Sequence, residues 1–327
     1  MFGLVVLLAV LVGVSLLSIA YGSRSIALSD VLGSFVHYDP ANTDDVVVMT
    51  LRIPRTIAGI LVGVALGLSG AVMQGVTRNP LADPGLLGVN AGAALFVVIA
   101  ISVFGIGTAL GYIWFGFVGA AVVSMLVYAI GSAGREGATP IKLALAGAAV
   151  TAALQSVTTA ILLTDIETYD QFRFWTVGAL VGIKSSTLLV VTPFILVGVV
   201  LALSTGRLLN ALALGDNVAR ALGQRVALAR ALSATSVVLL CGAATAVAGP
   251  IGFVGLTVPH LARVVTGPDY RWILPYSMLL APILLLLSDV LGRLVARPGE
   301  LQVGIVMAVV GAPFFIALVR RRKLSEL

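Results

Sequence analysis

Few side chains in this chain could bind a phosphate or carry out acid–base chemistry. The nearest approach to a nucleotide-binding loop is the run GALVGIKS at 178–185. In a phosphate-binding loop a lysine directly follows the second glycine, so that its ammonium group reaches the phosphates cradled by the backbone. Here Ile183 separates Gly182 from Lys184. The chain therefore lacks a nucleotide-binding motif, and we do not expect it to be an enzyme that hydrolyses ATP.

Metal-binding and acid–base side chains are also isolated. The two histidines, His37 and His260, are far apart in the sequence, and the single cysteine is Cys241. A transition-metal site needs several such ligands together. Asp289 lies in an apolar stretch four residues before Arg293, a spacing at which opposite charges pair on a helix. We interpret Asp289 as structural, and predict no catalytic residue, no metal site and no cofactor on this chain.

The composition indicates a protein whose solvent is lipid. Hydrophobic residues make up 59% of the 327 residues, charged residues make up 10%, and the mean hydropathy is +1.11. A soluble domain usually carries about a quarter charged residues. With so few charges the chain cannot cover a globule with polar groups, so we predict an all-α, polytopic membrane protein.

Ten apolar stretches are long enough, or nearly so, to cross the hydrocarbon layer, which takes about 20 residues. The third and eighth are short and interrupted by Gly or Pro. We expect the first to be a retained span and not a cleaved signal, because no basic residue precedes it. The prediction is one transmembrane domain over 1–327 with about ten spans, at 2–20, 56–76, 88–104, 109–131, 141–163, 187–204, 231–250, 252–267, 272–291 and 302–319.

The basic residues orient these spans. Lys and Arg collect in cytoplasmic loops. If both termini are cytoplasmic, thirteen of the 20 basic residues lie inside, among them Arg135 and the run Arg320–Lys323. We therefore predict cytoplasmic termini, and we attribute the net charge of +6 to this bias and not to nucleic-acid binding. The seven basic residues left outside are Arg24, Arg52, Arg55, Arg173, Lys184, Arg293 and Arg297.

The second predicted span carries a strip of glycines. Gly59, Gly63 and Gly67 recur every four residues, and Gly70 follows. Small residues at this spacing let the backbone of another helix approach closely. The strip predicts a packed helical bundle and not a set of separate lipid anchors.

One segment, at 206–230, is too polar to cross a membrane. Its pattern predicts two short amphipathic helices separated by Gly215, with Asp216 as the N-cap of the second and with Val218, Ala219, Leu222 and Val226 on its apolar side. An apolar patch on such a segment suits either a partner protein or the lipid headgroup layer. The residues by themselves leave both interpretations open.

Five blocks, in order, resemble FecCD-type permeases, the membrane subunits of iron-siderophore, haem and cobalamin ABC importers. They are LRIPRT (51–56), GLSGAVMQGVTRNPLADPGLLGVNAGA (67–93), LNALALGDNVARALG (209–223), GPIGFVGLTVPHLAR (249–263) and ELQVGIVMAVVGAPFFIALV (300–319). Because the blocks extend over essentially the whole chain, the resemblance implies the fold of a type II ABC importer permease.

The resemblance also implies roles for particular residues. Asn79, Pro80 and Leu81 correspond to a cytoplasmic gate, and Arg52, Arg55 and Arg293 to residues that dock acidic side chains of an extracytoplasmic binding protein. The segment at 206–230 corresponds to a cytoplasmic coupling loop that contacts the ATPase. The coupling residues implied are Leu209, Asn210, Leu212, Leu214, Gly215, Ala219, Leu222 and Gly223.

The partners implied are a second permease chain, identical or related, two ATPase subunits that bind ATP and Mg²⁺, and an extracytoplasmic substrate-binding protein. The location implied is the cytoplasmic membrane of a prokaryote. We expect the cargo to be an iron chelate, most often a ferric siderophore, with haem or cobalamin as the alternative. A self-sufficient, ion-coupled transporter is the rival from another class, and it would need charged or broken helices near the midplane that bind coupling ions.

Overall fold

The computed structural model describes residues 2–133 and 139–322, and within these ranges every regular element is helical. Arg135 and Lys323, two of the basic residues used to orient the chain, lie outside the described residues. The elements are α1 (Phe2–Ala20), α2 (Leu28–Val36), α3 (Thr43–Val46), a π-helical stretch (Val47–Arg52), α4 (Ile53–Thr77), a 3₁₀ turn (Pro84–Leu87), α5 (Val89–Ser102), α6 (Ala109–Ser132), α7 (Pro140–Thr164), α8 (Ile166–Thr176), α9 (Ser185–Ser204), α10 (Gly206–Ala213), α11 (Asp216–Ala221), α12 (Val226–Ala248), α13 (Val254–Thr266), α14 (Tyr270–Val295) and α15 (Val303–Arg322).

Seven helical runs in the described part of the chain are long and apolar enough to cross a membrane, and the predicted all-α membrane fold is confirmed. Two further apolar helices are shorter, α5 and the part of α15 at Val303–Ala317, and α13 has 13 residues. Each of the ten predicted stretches therefore contains a helix, but α5, with 14 residues, and α13, with 13, fall short of a full crossing. The seven long runs are Phe2–Ala20, Thr43–Thr77, Leu110–Ser132, Ile141–Thr164, Ser185–Ser204, Val226–Ala248 and Tyr270–Val295.

The second span begins much earlier than hydropathy indicates. Helical structure is continuous over 35 residues from Thr43 to Thr77, because α3, the π-helical stretch and α4 follow one another without a break. The Asn42 side chain accepts a hydrogen bond from the Asp44 N–H and caps the start. Pro54 is the second residue of α4, directly after the π-helical stretch. Arg52 and Arg55 consequently lie within a helix and not in a loop.

Helix α4 forms the centre of the bundle, and its glycine strip explains how. A Cβ added at Gly63 would lie 2.4 Å from the Cα of Pro282 in α14, and one at Gly67 would lie 2.4 Å from the Cβ of Ala281. At Gly70 the added Cβ would lie 2.0 Å from the carbonyl oxygen of Gly255 in α13. Only glycine leaves room for these approaches. The strip therefore seats α13 and α14 directly against α4.

Candidate functional sites

The segment at 206–230 folds into the two predicted short helices, α10 and α11, separated by Gly215. Gly215 has φ +100°, a backbone conformation that disfavours any residue with a Cβ. Leu209 and Leu212 of α10 are buried, and Leu209 lies against the close-packed end of α4 near Gly75. Helix α10 is thus anchored to the bundle by its apolar face.

Asn210 adds a polar anchor to the same helix. Its Nδ2 donates to Asp269 Oδ1 at 2.6 Å, and its Oδ1 accepts from the Tyr270 N–H at 2.8 Å. Asp269 also accepts from the Arg271 guanidinium, and the hydrogen bonds from Arg271 and Asn210 hold the pKa of Asp269 below its usual range. Asp269 is therefore ionised at neutral pH and ties α10 to the start of α14.

Helix α11 differs from its prediction in three respects. Asp216 is the first residue of the helix and not its N-cap, and its two carboxylate oxygens bind Arg78 and Arg230 instead. The helix ends at Ala221, so Leu222 and Val226 lie beyond it. Of the four residues predicted on its apolar side, Ala219 and Val226 are buried, whereas Val218 is 47% exposed and Leu222 is 61% exposed. Val218 and Leu222, together with Leu214 at 62%, are exposed apolar side chains within and beside α11, and we call these three residues the α11 patch.

The eight residues implied in coupling therefore separate into two groups. Leu209, Asn210, Leu212 and Ala219 face the bundle and hold the segment in place. Leu214, Leu222 and Gly223 are exposed, and Gly215 is half-buried. Leu209, Leu212 and Ala219 are buried and Asn210 is half-buried, so the first group contacts the bundle while most of the second group is at the surface.

The implied gate residues form a compact turn after α4. Arg78 ends the helix in the left-handed conformation, with φ +52°, and its N–H bonds back to the Gln74 and Gly75 carbonyls. Asn79 Oδ1 accepts from the Leu81 N–H at 2.9 Å, and the Asn79 carbonyl accepts from the Ala82 N–H at 3.1 Å. Asn79 and Leu81 are exposed and Pro80 is half-buried. We call residues 78–82 the gate turn.

Sequence reasoning missed a polar cavity behind this turn. Asp83 accepts from the Gly85 N–H at 2.7 Å and starts the 3₁₀ turn, and the Asn90 side chain accepts from Thr245 at 3.0 Å. Asp83 and Asn90 line a cavity of about 10 Å³ together with Gly255, which is close to the room one water molecule needs. The sequence feature that could have drawn attention to this site is Asp83 directly before Pro84, because Asp followed by Pro is typical of a helix start.

At the opposite end of α4, the three implied docking arginines are buried. Arg52 is 4% exposed, Arg55 is 8% exposed and Arg293 is 2% exposed. Arg52 donates from Nη1 to the Ile19 and Ala20 carbonyls at 2.9 and 2.7 Å, and from Nη2 to the Arg24 carbonyl at 2.6 Å. The guanidinium of Arg52 therefore holds the end of α1, and its implied role in docking a binding protein stays a prediction.

Arg55 and Arg293 share the carboxylate of Asp289, which is fully buried. Arg55 donates to Asp289 from Nε at 2.9 Å and from Nη2 at 2.8 Å, and from Nη1 to Glu300 at 2.6 Å. Arg293 Nη2 lies 3.0 Å from Asp289, as the four-residue spacing predicted, and Nη1 donates to the Ser18 and Tyr21 carbonyls. These contacts join α1, α4, α14 and the residues before α15.

The same cluster forms one wall of an open cavity of about 630 Å³. Arg24 and Lys184, both exposed, line it with the three buried arginines and with one carboxylate, Glu300. Burial raises the pKa of Glu300, but the hydrogen bond and charge of Arg55 outweigh that effect and hold it below the usual range. Glu300 is therefore ionised, and the lining of the cavity carries excess positive charge.

Among the described residues, no three His, Cys, Asp or Glu side chains lie together in a way that could hold a metal ion. The arrangement is thus one of charged and apolar contact surfaces at the two ends of a helical bundle. It offers places for other molecules to bind.

Comparison with known proteins agrees with a helical membrane protein that has contact surfaces at both ends. The profile of the FecCD transport family matches residues 8–321. Among the relatives, the ferric enterobactin transport system permease protein FepD of Escherichia coli is 45% identical over 316 residues, covering 97% of this chain and 94% of FepD. The iron(3+)-hydroxamate import system permease protein FhuB of Bacillus subtilis is 41% identical, covering 94% of this chain and 80% of FhuB.

Two further likenesses extend this result. The hemin transport system permease protein HmuU of Yersinia pestis is 39% identical and covers 84% of this chain. A solved metal-chelate type ABC transporter in an inward-facing conformation matches with a TM-score of 0.85 at 28% identity, covering 97% of this chain and 98% of that one. The family profile and the relatives extend over nearly the whole sequence, and the chain belongs to the FecCD transport family.

Proposed function

We propose that this chain is the transmembrane permease subunit of an ATP-driven ABC importer for iron chelates, most of all ferric siderophores. The observation that carries the proposal is the α11 patch on an anchored segment, in a chain of this family that lacks a nucleotide-binding loop. The energy for transport then comes from ATP hydrolysis, with Mg²⁺, on two separate ATPase subunits.

The α11 patch suits an ATPase subunit because it combines exposure with rigid support. Leu214, Val218 and Leu222 are about half exposed or more, while Leu209, Leu212 and Ala219 beneath them are buried. A rigid apolar surface loses little conformational entropy when a partner covers it. Because Asn210 ties α10 to α14, force applied at the patch reaches the bundle directly.

The opposite end suits an acidic partner, which we propose is an extracytoplasmic substrate-binding protein. Arg52, Arg55 and Arg293 act here through the positive charge that they place behind the cavity wall, while exposed Arg24 and Lys184 make the contacts. Charges at an interface rim mainly speed association, and salt screens them. Reversing Arg24 and Lys184 to Glu should therefore slow association of the binding protein several-fold at low salt and less at high salt. An association rate that does not depend on these two charges would remove this part of the proposal.

The chain is proposed to lie in the cytoplasmic membrane of a prokaryote with both termini inside, as the distribution of basic residues favours. A second permease chain, identical or related, would cover part of the apolar surface that one copy leaves open. Helix α7 is a candidate for that contact, because Ile141 is 74% exposed, Leu145 is 67% exposed and Leu163 is 80% exposed.

The cargo class is supported by what the relatives are named for: ferric enterobactin, iron(3+)-hydroxamate and hemin. Two of these three names refer to ferric siderophores, so we propose a ferric siderophore first and haem as the second candidate. Uptake of labelled chelates by cells carrying the complete system would rank them. Competition by excess haem and not by siderophore would reverse the order.

The decisive experiment is co-purification of the ATPase with the Leu214→Asp, Leu222→Asp double variant. Burying two carboxylates in an apolar interface costs more free energy than the rest of that interface contributes to binding. We expect the variant to insert and fold, to lose the ATPase and to lose ATP-driven uptake. Leu28→Asp is the matched control, since Leu28 is equally exposed at 62% but lies on α2, away from the patch.

Two results would contradict the proposal. One is capture of the ATPase by the double variant at the yield of the unaltered chain. The other is uptake into vesicles that is driven by a proton or sodium gradient through this chain alone, which would support an ion-coupled transporter instead.

A further inference from the structure

A three-residue ion bridge connects the segment of the α11 patch to the gate turn. Asp216, the first residue of α11, binds Arg78 Nη2 through Oδ1 at 3.2 Å and Arg230 Nη2 through Oδ2 at 2.7 Å. Arg78 is the first residue of the gate turn, and Arg230 lies in the second turn of α12. The two arginines are more than 150 residues apart in the sequence, and Asp216 joins them.

The bridge is better shielded than an ordinary surface ion pair. The side chain of Arg230 is 14% exposed, that of Asp216 is 24% exposed and that of Arg78 is 34% exposed. Because both oxygens of the carboxylate are used, moving Asp216 breaks or stretches two charged hydrogen bonds at once. Such bonds are roughly twice as strong as neutral ones.

Arg78 is also conformationally unusual. Within residues 2–133 and 139–322, it is one of two non-glycine residues with positive φ, the other being Phe253. A left-handed conformation is unfavourable for an arginine because its Cβ crowds the backbone, and such residues persist where their surroundings hold them. The α4 carbonyls hold the Arg78 backbone, and Asp216 holds its side chain.

The position of the bridge relates two surfaces described above. Asp216 lies between Leu214 and Val218 of the α11 patch, and Arg78 directly precedes Asn79 of the gate turn. Of the other anchors of the segment, Leu209 lies near Gly75 in the last turn of α4, and Asn210 bonds to Asp269 and Tyr270 at the start of α14. Among these contacts, the bridge is the one that can pass a displacement of α11 to residues 78–82.

We propose that Asp216 is a positioning residue that couples the ATPase-facing segment to the gate turn. Movement of α11 pulls Arg78 through the carboxylate, and Arg230 keeps the carboxylate aligned while it moves. Because the backbone at Arg78 is strained, the gate turn is the element that changes conformation when α11 moves. This inference rests on the proposed function, because it requires the ATPase to act on the α11 patch.

The test uses the complete complex of permease, ATPase and binding protein in lipid, with the Arg78→Gln variant. This change removes one arm of the bridge at a partly exposed position and leaves Asp216 paired with Arg230. We expect the ATPase to co-purify at the usual yield. Stimulation of ATP hydrolysis by loaded binding protein should fall about tenfold, within the usual range of coupling between sites, and uptake should fall with it. Arg78→Lys keeps the charge and should restore most of the stimulation.

A double-variant comparison identifies the bridge as the cause. Asp216→Asn should lose at least as much stimulation as Arg78→Gln. The variant that combines the two changes should lose no more than Asp216→Asn alone, because Asp216→Asn already breaks the contact between Asp216 and Arg78. Arg173→Gln is the control. It removes another arginine–aspartate pair, at 3.2 Å, from α8, which the proposal does not involve, and it should leave stimulation as it was.

Three results would overturn the inference. Normal stimulation in Arg78→Gln would show that the bridge transmits nothing. Loss of the ATPase from Arg78→Gln would show that it shapes the docking surface instead. Fully additive losses in the combined variant would show that Arg78 and Asp216 act separately. Failure of the proposed function looks different, because the unaltered chain would then not capture the ATPase.

Discussion

Replacing Asp289 by Asn should destabilise the whole outer end of the bundle. The Asp289 side chain is fully buried between Arg55, whose side chain is 10% exposed, and Arg293, whose side chain is 2% exposed. Asparagine keeps the size of the side chain and removes its charge. Arg55 would keep Glu300, but Arg293 would keep only neutral partners, among them the carbonyls of Ser18 and Tyr21.

The size of the effect follows from this burial. Removing one partner of a buried ion pair costs about 3–5 kcal/mol, because the remaining charge stays desolvated. The retained contact to Glu300 places the expected loss toward the lower end of that range. For a chain of 327 residues, such a loss lowers the melting temperature by roughly 4–7 °C.

The assay is the thermal midpoint of the purified chain in detergent, followed by the monodisperse fraction that survives heating. Asp170→Asn is the matched control, because Asp170 pairs with Arg173 at 3.2 Å but both side chains are about half exposed. Exposed pairs contribute little, so this variant should melt with the unaltered chain. If Asp289→Asn melts within 1 °C of the control, as a rough threshold for one kcal/mol or less, the cluster does not hold the helices together and the reasoning fails.

Two further variants test other parts of the fold. Gly70→Ala should lower the melting temperature, since its Cβ would lie 2.0 Å from the Gly255 carbonyl and overpacking costs about 1–3 kcal/mol. Gly13→Ala is its control, because that Cβ meets open space, and equal melting of the two would contradict the close packing of α4 on α13. Asn210→Leu should speed protease cleavage within residues 206–230 with little change in the melting of the bundle, because it removes the bonds to Asp269 and Tyr270. Asn217→Ala, exposed on α11, should be cleaved at the usual rate, and equal cleavage of the two would count against Asn210 as an anchor.

Much of the fold could be predicted from local patterns. Ten apolar stretches correspond to ten helices because burial in lipid demands long apolar runs and internally bonded backbone. The glycine strip predicted a close helix contact, and α13 and α14 lie against it. The division of 206–230 at Gly215 was also predicted, because glycine readily adopts the positive φ with which many helices end.

The candidate sites were predicted less well, because they depend on contacts between distant residues. Leu209 and Leu222 look alike in the sequence, yet one is buried and the other is 61% exposed. Asp216 fits the pattern of an N-cap, but two arginines from other helices take its oxygens. A local pattern states which bonds a side chain can form. It does not state which competing partner lies within reach.

The arginines show most clearly what the sequence determines and what the tertiary structure decides. Composition and spacing determined three features: the chain is a membrane protein, it forms these helices, and Asp289 pairs with Arg293. They could do so because hydropathy and helical periodicity depend only on neighbours in sequence. Whether Arg55 faces a partner or the interior was decided by Asp289, 234 residues away, once α14 packs against the glycines of α4. Desolvation then makes an internal carboxylate partner necessary, and only the tertiary structure brings one there.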